Sequence, residues 1–278
     1  MNTMDLYRSV CLRASRSTTQ LYSTSFSIGV RSLHRRFRDP IHAIYGFVRF
    51  ADEIVDTFHE HDRAALLQRF RNDTHLAIAE GISLNPILHS FQDVVHRYGI
   101  EAELYDTFLD SMAMDLTATH HDRGSYERYI LGSAEVVGAM CLRVFCEGNS
   151  ERYLQLKPAA HRLGAAFQKV NFLRDLHDDH VALGRSYFPG VDPERITATD
   201  RATIELEITA DLDAALAGIR ALPKGSRFGV YVAYVYYNAL FQRLKAGGEA
   251  PVSRVRIPNR RKLVMLTSSY VKHRLDLI

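Results

Sequence analysis

The sequence predicts one all-α domain, a helical bundle covering residues 1–278. Three observations carry that prediction. Apolar residues recur at spacings of three and four over eight segments. Strict alternation, the mark of a half-buried strand, is scarce. The breakers fall in short clusters with no long linker, repeat period or low-complexity tract, and helices joined by short loops pack together as a bundle.

The periodic segments are 41–58, 64–79, 86–98, 102–116, 126–147, 151–176, 201–221 and 228–246. Pro40 stands before the first. "GISLNP" (81–86), Gly99 and "EGNS" (147–150) separate later ones, and "PGVDP" (189–193), "LPKG" (222–225) and "GGEAP" (247–251) punctuate the rest. Hydrophobic residues at 46% and charged ones at 24% are an ordinary globular balance. A net charge of only +3 gives no sign of a polyanion binder, so no nucleic-acid partner is expected. Cys11, Cys141 and Cys146 are an odd number without CxxC spacing, which reads as reduced thiols rather than a disulfide frame or zinc site. The N-terminal stretch lacks the apolar core of a secretory signal. No apolar run reaches the ~20 residues of a membrane span, so a cytoplasmic location is expected.

The segment "FVRFADEIVDTF" (47–58) has the apolar content of a buried helix yet carries Asp52, Glu53 and Asp56. At 100° per residue, Tyr45, Arg49, Asp52 and Asp56 fall within roughly 60° of one another, with Glu53 to one side. Taken alone, this stripe reads equally as a solvated face with an Arg49–Asp52 pair. A second stretch, 164–189, changes the balance: Gln168, Asn171, Asp175 and Asp179 share roughly 80° of another helix. Two helices thus each carry Asp-x-x-x-Asp on one face, and a bundle can set them opposite each other. Carboxylates crowded into one cavity repel strongly, and hard divalent cations relieve that repulsion. An all-oxygen ligand set favours Mg²⁺ or Mn²⁺ over zinc, and Mg²⁺ is usually held by a few carboxylates plus substrate phosphate oxygens. Arg49, Asn171, Arg174 and Arg185, beside the acids, suit the same diphosphate.

The segments "STSFSIGVRSL" (23–33), "AIYGFVRFADEIVD" (43–56), "FLDSMAMDL" (108–116), "YILGSAEVVG" (129–138) and "AFQKVNFLRDLHDDHVALGRSYFP" (166–189) resemble, in order, the signatures of the squalene/phytoene synthase family. "ALFQRL" (239–244) and "VSRVRIPNRRKLVML" (252–266) resemble its C-terminal end. The resemblance spans nearly the whole chain and is nearest to bacterial phytoene synthases. It implies the class I prenyl-synthase fold, a helical bundle around a central cavity, and two to three Mg²⁺ (or Mn²⁺) ions. It also implies head-to-head condensation of two geranylgeranyl diphosphates, through a cyclopropylcarbinyl diphosphate, to 15-cis-phytoene, without NADPH. By position, Asp52 and Asp56 match the first metal motif and Asn171, Asp175 and Asp179 the second. Arg49 matches a diphosphate-binding arginine. Ser23, Ser25 and Phe26 match the N-terminal substrate segment, Tyr129 and Gln168 match cavity residues near the reacting carbons and diphosphate, and Tyr237 falls near a family tyrosine.

Two positions depart from the family pattern. DEIVD stands where many members read DDIVD. Within "SAEVVG" (133–138), Ser133 stands for a valine and Glu135 for a glycine. Glu135 lies in a row of small residues, either holding an arginine such as Arg49 or pairing on the outer side of its helix. Phe228, Tyr231, Val235 and Asn238 share a face that reads as core or as tunnel wall. The basic stretch "RSLHRRFR" (31–38) reads as a solvated face that steers substrate or touches anionic membrane, a peripheral contact for product release. His120, His121, His177 and His180 lack an arranged third ligand and read as surface or supporting residues. Competing readings are a squalene or dehydrosqualene synthase using two farnesyl diphosphates, and a non-catalytic scaffold relative. The latter would have no reason to keep all these acids with Asn171 and Arg49.

Overall fold

The computed structural model describes residues 2–247 and 257–275, apart from the side chains of residues 182, 183, 259 and 274. Most of "GGEAP" and of the tail motif before Ile257 lies outside the described residues. Within them the chain is helical throughout, as predicted, with one isolated bridge between His120 and Ser186.

Two helices precede those expected. α1 (Thr3–Tyr22) begins with a capping box, the Asn2 side chain accepting from the first turn and Asp5 accepting from the Asn2 N–H. Its buried residues are Cys11, Ser15, Thr18 and Thr19, too small and polar to mark an apolar period. The chain turns at extended Ser23 into α2 (Thr24–Arg31), where the Ser23 side chain accepts from the Phe26 N–H at 3.2 Å. α3 (Arg35–Asp56) starts earlier than predicted and contains Pro40. This proline is not a breaker: it lies near the helix start and removes a single intrahelical bond. α4 (Arg63–Glu80) and α5 (Pro86–Tyr98) end on Gly81 and Gly99 at φ 70° and 62°, the left-handed caps that glycine accepts without a Cβ clash. α6 (Ala102–Met114) follows, capped at its C-terminus by Asp115.

α7 (Arg123–Ile130), a π turn (Leu131–Glu135) and α8 (Val136–Cys146) form one continuous rod. That rod is long and apolar enough to cross a membrane by length and composition, but its residues are mostly buried within the bundle. The row of small residues in it serves helix packing: a Cβ on Gly132 would stand 2.6 Å from the Thr107 carbonyl oxygen, and one on Gly138 2.6 Å from that of Ala160. α9 (Ser150–Leu183) then runs 34 residues, about 50 Å at 1.5 Å per residue. α10 (Ala198–Ala221), α11 (Lys224–Ala246) and α12 (Asn259–Arg274) complete the described chain.

Two apolar cores result. One joins α3, α5, α6 and α8, with Phe47 stacked on Phe91 at 3.9 Å. The other joins α9, α10 and α11, with Phe172 stacked on Tyr187 at 4.0 Å. α3 belongs to the first; α9 joins the first near its start through Tyr153 and Leu156 and the second from Ala165 onward, and a cavity of about 340 Å³ lies between the two helices.

Candidate active site

On α3, the Arg49 guanidinium spans Asp52 and Glu53 and lies over the Tyr22 ring at 4.3 Å. Glu53, one step off the predicted stripe, is thereby drawn into it. Burial, and then the neighbouring Asp56 charge, push the Asp52 carboxyl up to about 6. Asp56 ends the helix, where backbone carbonyls already concentrate negative charge. Two guanidiniums answer that charge. Arg63 donates to the Val55 carbonyl at 2.7 Å, and Arg185 donates to Asp56 Oδ1 at 2.7 Å.

Arg185 is buried, 6% exposed. It follows α9, and the His120–Ser186 bridge pins its segment beside the loop after α6. It also donates to the Asp115 backbone carbonyl at 3.0 Å and stands 3.6 Å from Asp115 Oδ1. Burial raises the Asp115 carboxyl to about 7 against the pull of Arg185. Its Oδ2 accepts from the Tyr129 hydroxyl at 2.7 Å, while Oδ1 has no hydrogen-bond partner. Tyr129–Asp115–Arg185–Asp56 is therefore one connected chain. Sequence reasoning did not single out Asp115, because one acid just past a helix reads as an ordinary cap. Tyr129 sits among His121, Phe172 and Tyr187 and does not line the apolar cavity.

On α9, Arg174 pairs with its neighbour Asp175. Asn171 Oδ1 is buried without a hydrogen-bond partner. The Asp179 carboxyl is pushed up to about 7 by burial, then by Asp175, then by Asp56. The last influence crosses from α9 to α3, whose ends are also tied by the Arg185–Asp56 contact at 2.7 Å. Among the described residues, no three or more His, Cys, Asp or Glu converge tightly enough to hold a metal ion by themselves.

The cavity continues from the stripes. Tyr45 on α3 and Gln168 and Asn171 on α9 line it, each within about two turns of the acids on its own helix. Tyr237 joins them from α11, stacked on Phe167 at 3.9 Å, and Phe26 from α2 stacks on Tyr45 at 4.9 Å. The remaining wall is almost wholly apolar. Ser133 is an exception, its buried hydroxyl lacking a hydrogen-bond partner. Ser23 caps α2, and Ser25, half-buried, is not part of the wall. The α11 wall is Gly229, Val230, Ala233 and Tyr237; of the two readings of the Phe228–Asn238 face, core holds, since Tyr231 and Val235 pack in the second core. Glu135 pairs with His161 Nδ1 at 3.2 Å and not with Arg49. His180 stands 3.5 Å from Glu194, and His177 is exposed.

Residues 19–261 match the squalene/phytoene synthase family. A presqualene diphosphate synthase of Rhodopseudomonas palustris is 32% identical over 182 residues, 64% of this chain and 63% of that protein, so the match spans less than two thirds of the relative. A phytoene synthase of Pseudescherichia vulneris is 29% identical over 276 residues, covering 89% of this chain and 87% of the relative. In fold, a crystal structure of a dehydrosqualene synthase is similar with a TM-score of 0.84 at 18% identity, covering 95% of this chain and 98% of that one.

Proposed function

The chain belongs to the squalene/phytoene synthase family, and from that premise we propose that it is a prenyltransferase making 15-cis-phytoene from two geranylgeranyl diphosphates for carotenoid biosynthesis. One observation carries the reading. Arg185, just past the end of α9, donates to Asp56 at the end of α3 at 2.7 Å, and an apolar cavity lined by Tyr45 of α3 and by Gln168 and Asn171 of α9 opens beside the acids of both helices.

The residues fit Mg²⁺ or Mn²⁺. The donors Asp52, Asp56, Asn171, Asp175 and Asp179 are all oxygen, Asn171 Oδ1 is buried without a partner, and two of the carboxyls are held above their usual range. Ions held there would neutralise the departing diphosphate, completing their shells with substrate oxygens and water. Arg185 fixes Asp56, and Arg49 and Arg174 hold Asp52 and Asp175 in place. The apolar wall keeps water from an allylic cation, and the faces of Phe26, Tyr45, Phe167 and Tyr237 offer it π density. The double bond of the second substrate then attacks that cation.

Support for the C20 substrate is the likeness to a phytoene synthase along 89% of the chain. The second reading, two farnesyl diphosphates going to presqualene diphosphate, squalene or dehydrosqualene, is favoured by the higher identity over a shorter span. Incubation with each diphosphate and Mg²⁺, with and without NADPH, followed by product identification, separates them. A C40 triene core without NADPH is expected. C30 products alone would overturn the substrate, an NADPH-dependent product with a saturated central bond the reaction, and full turnover in excess chelator the metal reading.

A further inference from the structure

α12 carries an exposed apolar arc. Leu263, Val264, Tyr270, Val271 and Leu275 are 65%, 65%, 52%, 53% and 62% exposed. They fall within roughly 140° on one side of the helix. The inward side is mixed: Ser269 is buried, Lys262, Leu266 and His273 are half-buried, and Met265 packs against the second core. Lys262 Nζ lies 3.3 Å from Thr24 Oγ1 and 5.3 Å from the centre of the Tyr236 ring, and His273 stacks on Phe228 at 5.2 Å. The helix is thus seated on α2 and α11, two walls of the cavity, by Lys262, Met265 and His273, with Tyr270 at the edge of the arc edge-on to Phe228 at 5.8 Å. Its apolar arc faces away from both cores. A contiguous apolar face on a surface helix marks an interaction site.

Charge decides what covers it. Arg260 lies within the arc, Arg261 and Lys272 along one edge, all three exposed, and residues 259–275 contain no acid. A second copy docking through this face about a two-fold axis would set these cations against their own equivalents, a repulsive juxtaposition. An anionic lipid surface answers both the apolar arc and the cations. We propose that α12 docks on an anionic phospholipid bilayer, its apolar arc at the acyl boundary and Arg260, Arg261 and Lys272 at the phosphates. The basic stretch 31–38, which the sequence offered for this role, does not fit it. Leu33 and Phe37 point into the core, Arg36 pairs with Glu147 at 2.9 Å, and Arg38 donates to the Leu33 carbonyl at 2.9 Å.

Co-sedimentation of the full chain with phosphatidylcholine vesicles, with and without phosphatidylglycerol, tests the proposal. Binding about tenfold or more tighter to the anionic vesicles is expected, weakening with salt as exposed charges are screened. The double variant Val264→Glu/Val271→Glu changes only exposed positions. It should lose that binding about tenfold or more, while helicity, oligomeric state and turnover on detergent-dispersed substrate stay unchanged. That last measurement keeps docking separate from the proposed reaction, which stands or falls on product formation alone. Wild-type protein that ignores anionic vesicles, or a double variant that binds them equally well, overturns the proposal. So does a wild-type dimer that the two glutamates dissociate, which would make the face a self-interface.

Discussion

The two Asp-x-x-x-Asp stripes share a spacing but not an environment. On α3 the second acid, Asp56, is paired with a guanidinium, Arg185, brought from 129 residues away and shared with Asp115. On α9 the second acid, Asp179, is left against Asp175 and across from Asp56, with its carboxyl held near 7. Arginines bind the first acids of both motifs, through Arg49 on Asp52 and Arg174 on Asp175. Asp179 is therefore the acid least compensated by the protein itself. Equal sequence motifs become unequal partners once packing has assigned the cations: one stripe is braced, and the other waits for charge from outside.

Removing a donor should have the largest effect on turnover and should not respect the asymmetry. Asp52→Asn and Asp175→Asn are each expected to lower the rate more than tenfold, above ~1.4 kcal/mol in the barrier, with the fold intact by circular dichroism. A variant that keeps a tenth of wild-type rate or more removes that residue from the metal assignment.

Arg185→Leu should break the brace. It leaves Asp56 and buried Asp115 without their shared cation, so unfolding in urea should show a loss of about 3–5 kcal/mol. A loss below ~1 kcal/mol would mean that the Tyr129–Asp115–Arg185–Asp56 chain is not a stabilising unit.

Asp179 sharpens the comparison through pH. A carboxyl raised on folding, here from 3.8 to about 7, binds its proton more tightly in the folded state. Its effect favours folding fully below the unfolded value and is lost as pH rises towards 7, so metal-free protein should weaken over that interval. Asp179→Asn should flatten the slope and stabilise the metal-free protein at pH 8 by on the order of 1 kcal/mol. Mg²⁺ should raise the melting temperature of the wild type more than that of the variant. An unchanged slope would show that α9 is as well compensated as α3.

The smallest effect is expected at Glu135. Its partner is the half-buried His161, and neither residue touches the acids of either stripe in a hydrogen bond or ion pair, so Glu135→Gln should change stability by less than about 1 kcal/mol and leave the rate unaltered. A large fall in rate at constant melting temperature would place Glu135 in the site after all.

What was legible in the sequence is what local geometry fixes. Residues three and four apart share a helix face whatever surrounds them, so the Tyr45–Arg49–Asp52–Asp56 and Gln168–Asn171–Asp175–Asp179 stripes, the all-α class and the oxygen-only donor set could be read directly. The same logic passed over α1, whose buried face of Cys11, Ser15, Thr18 and Thr19 has no apolar contrast to detect. It left the Phe228–Tyr231–Val235–Asn238 face of α11 open between core and tunnel, because both are equally apolar, and packing put Tyr231 and Val235 in the core. Nor could spacing show which way α12 presents its apolar arc. Tertiary structure alone decided the pairings of Arg185 with Asp56 and Asp115, of Glu135 with His161, and the crossing of α3 and α9 that lets Asp56 act on Asp179. Periodicity is a property of one helix, whereas these depend on the distance between helices. Coulomb energy and desolvation, which give each acid its role, are set by that distance.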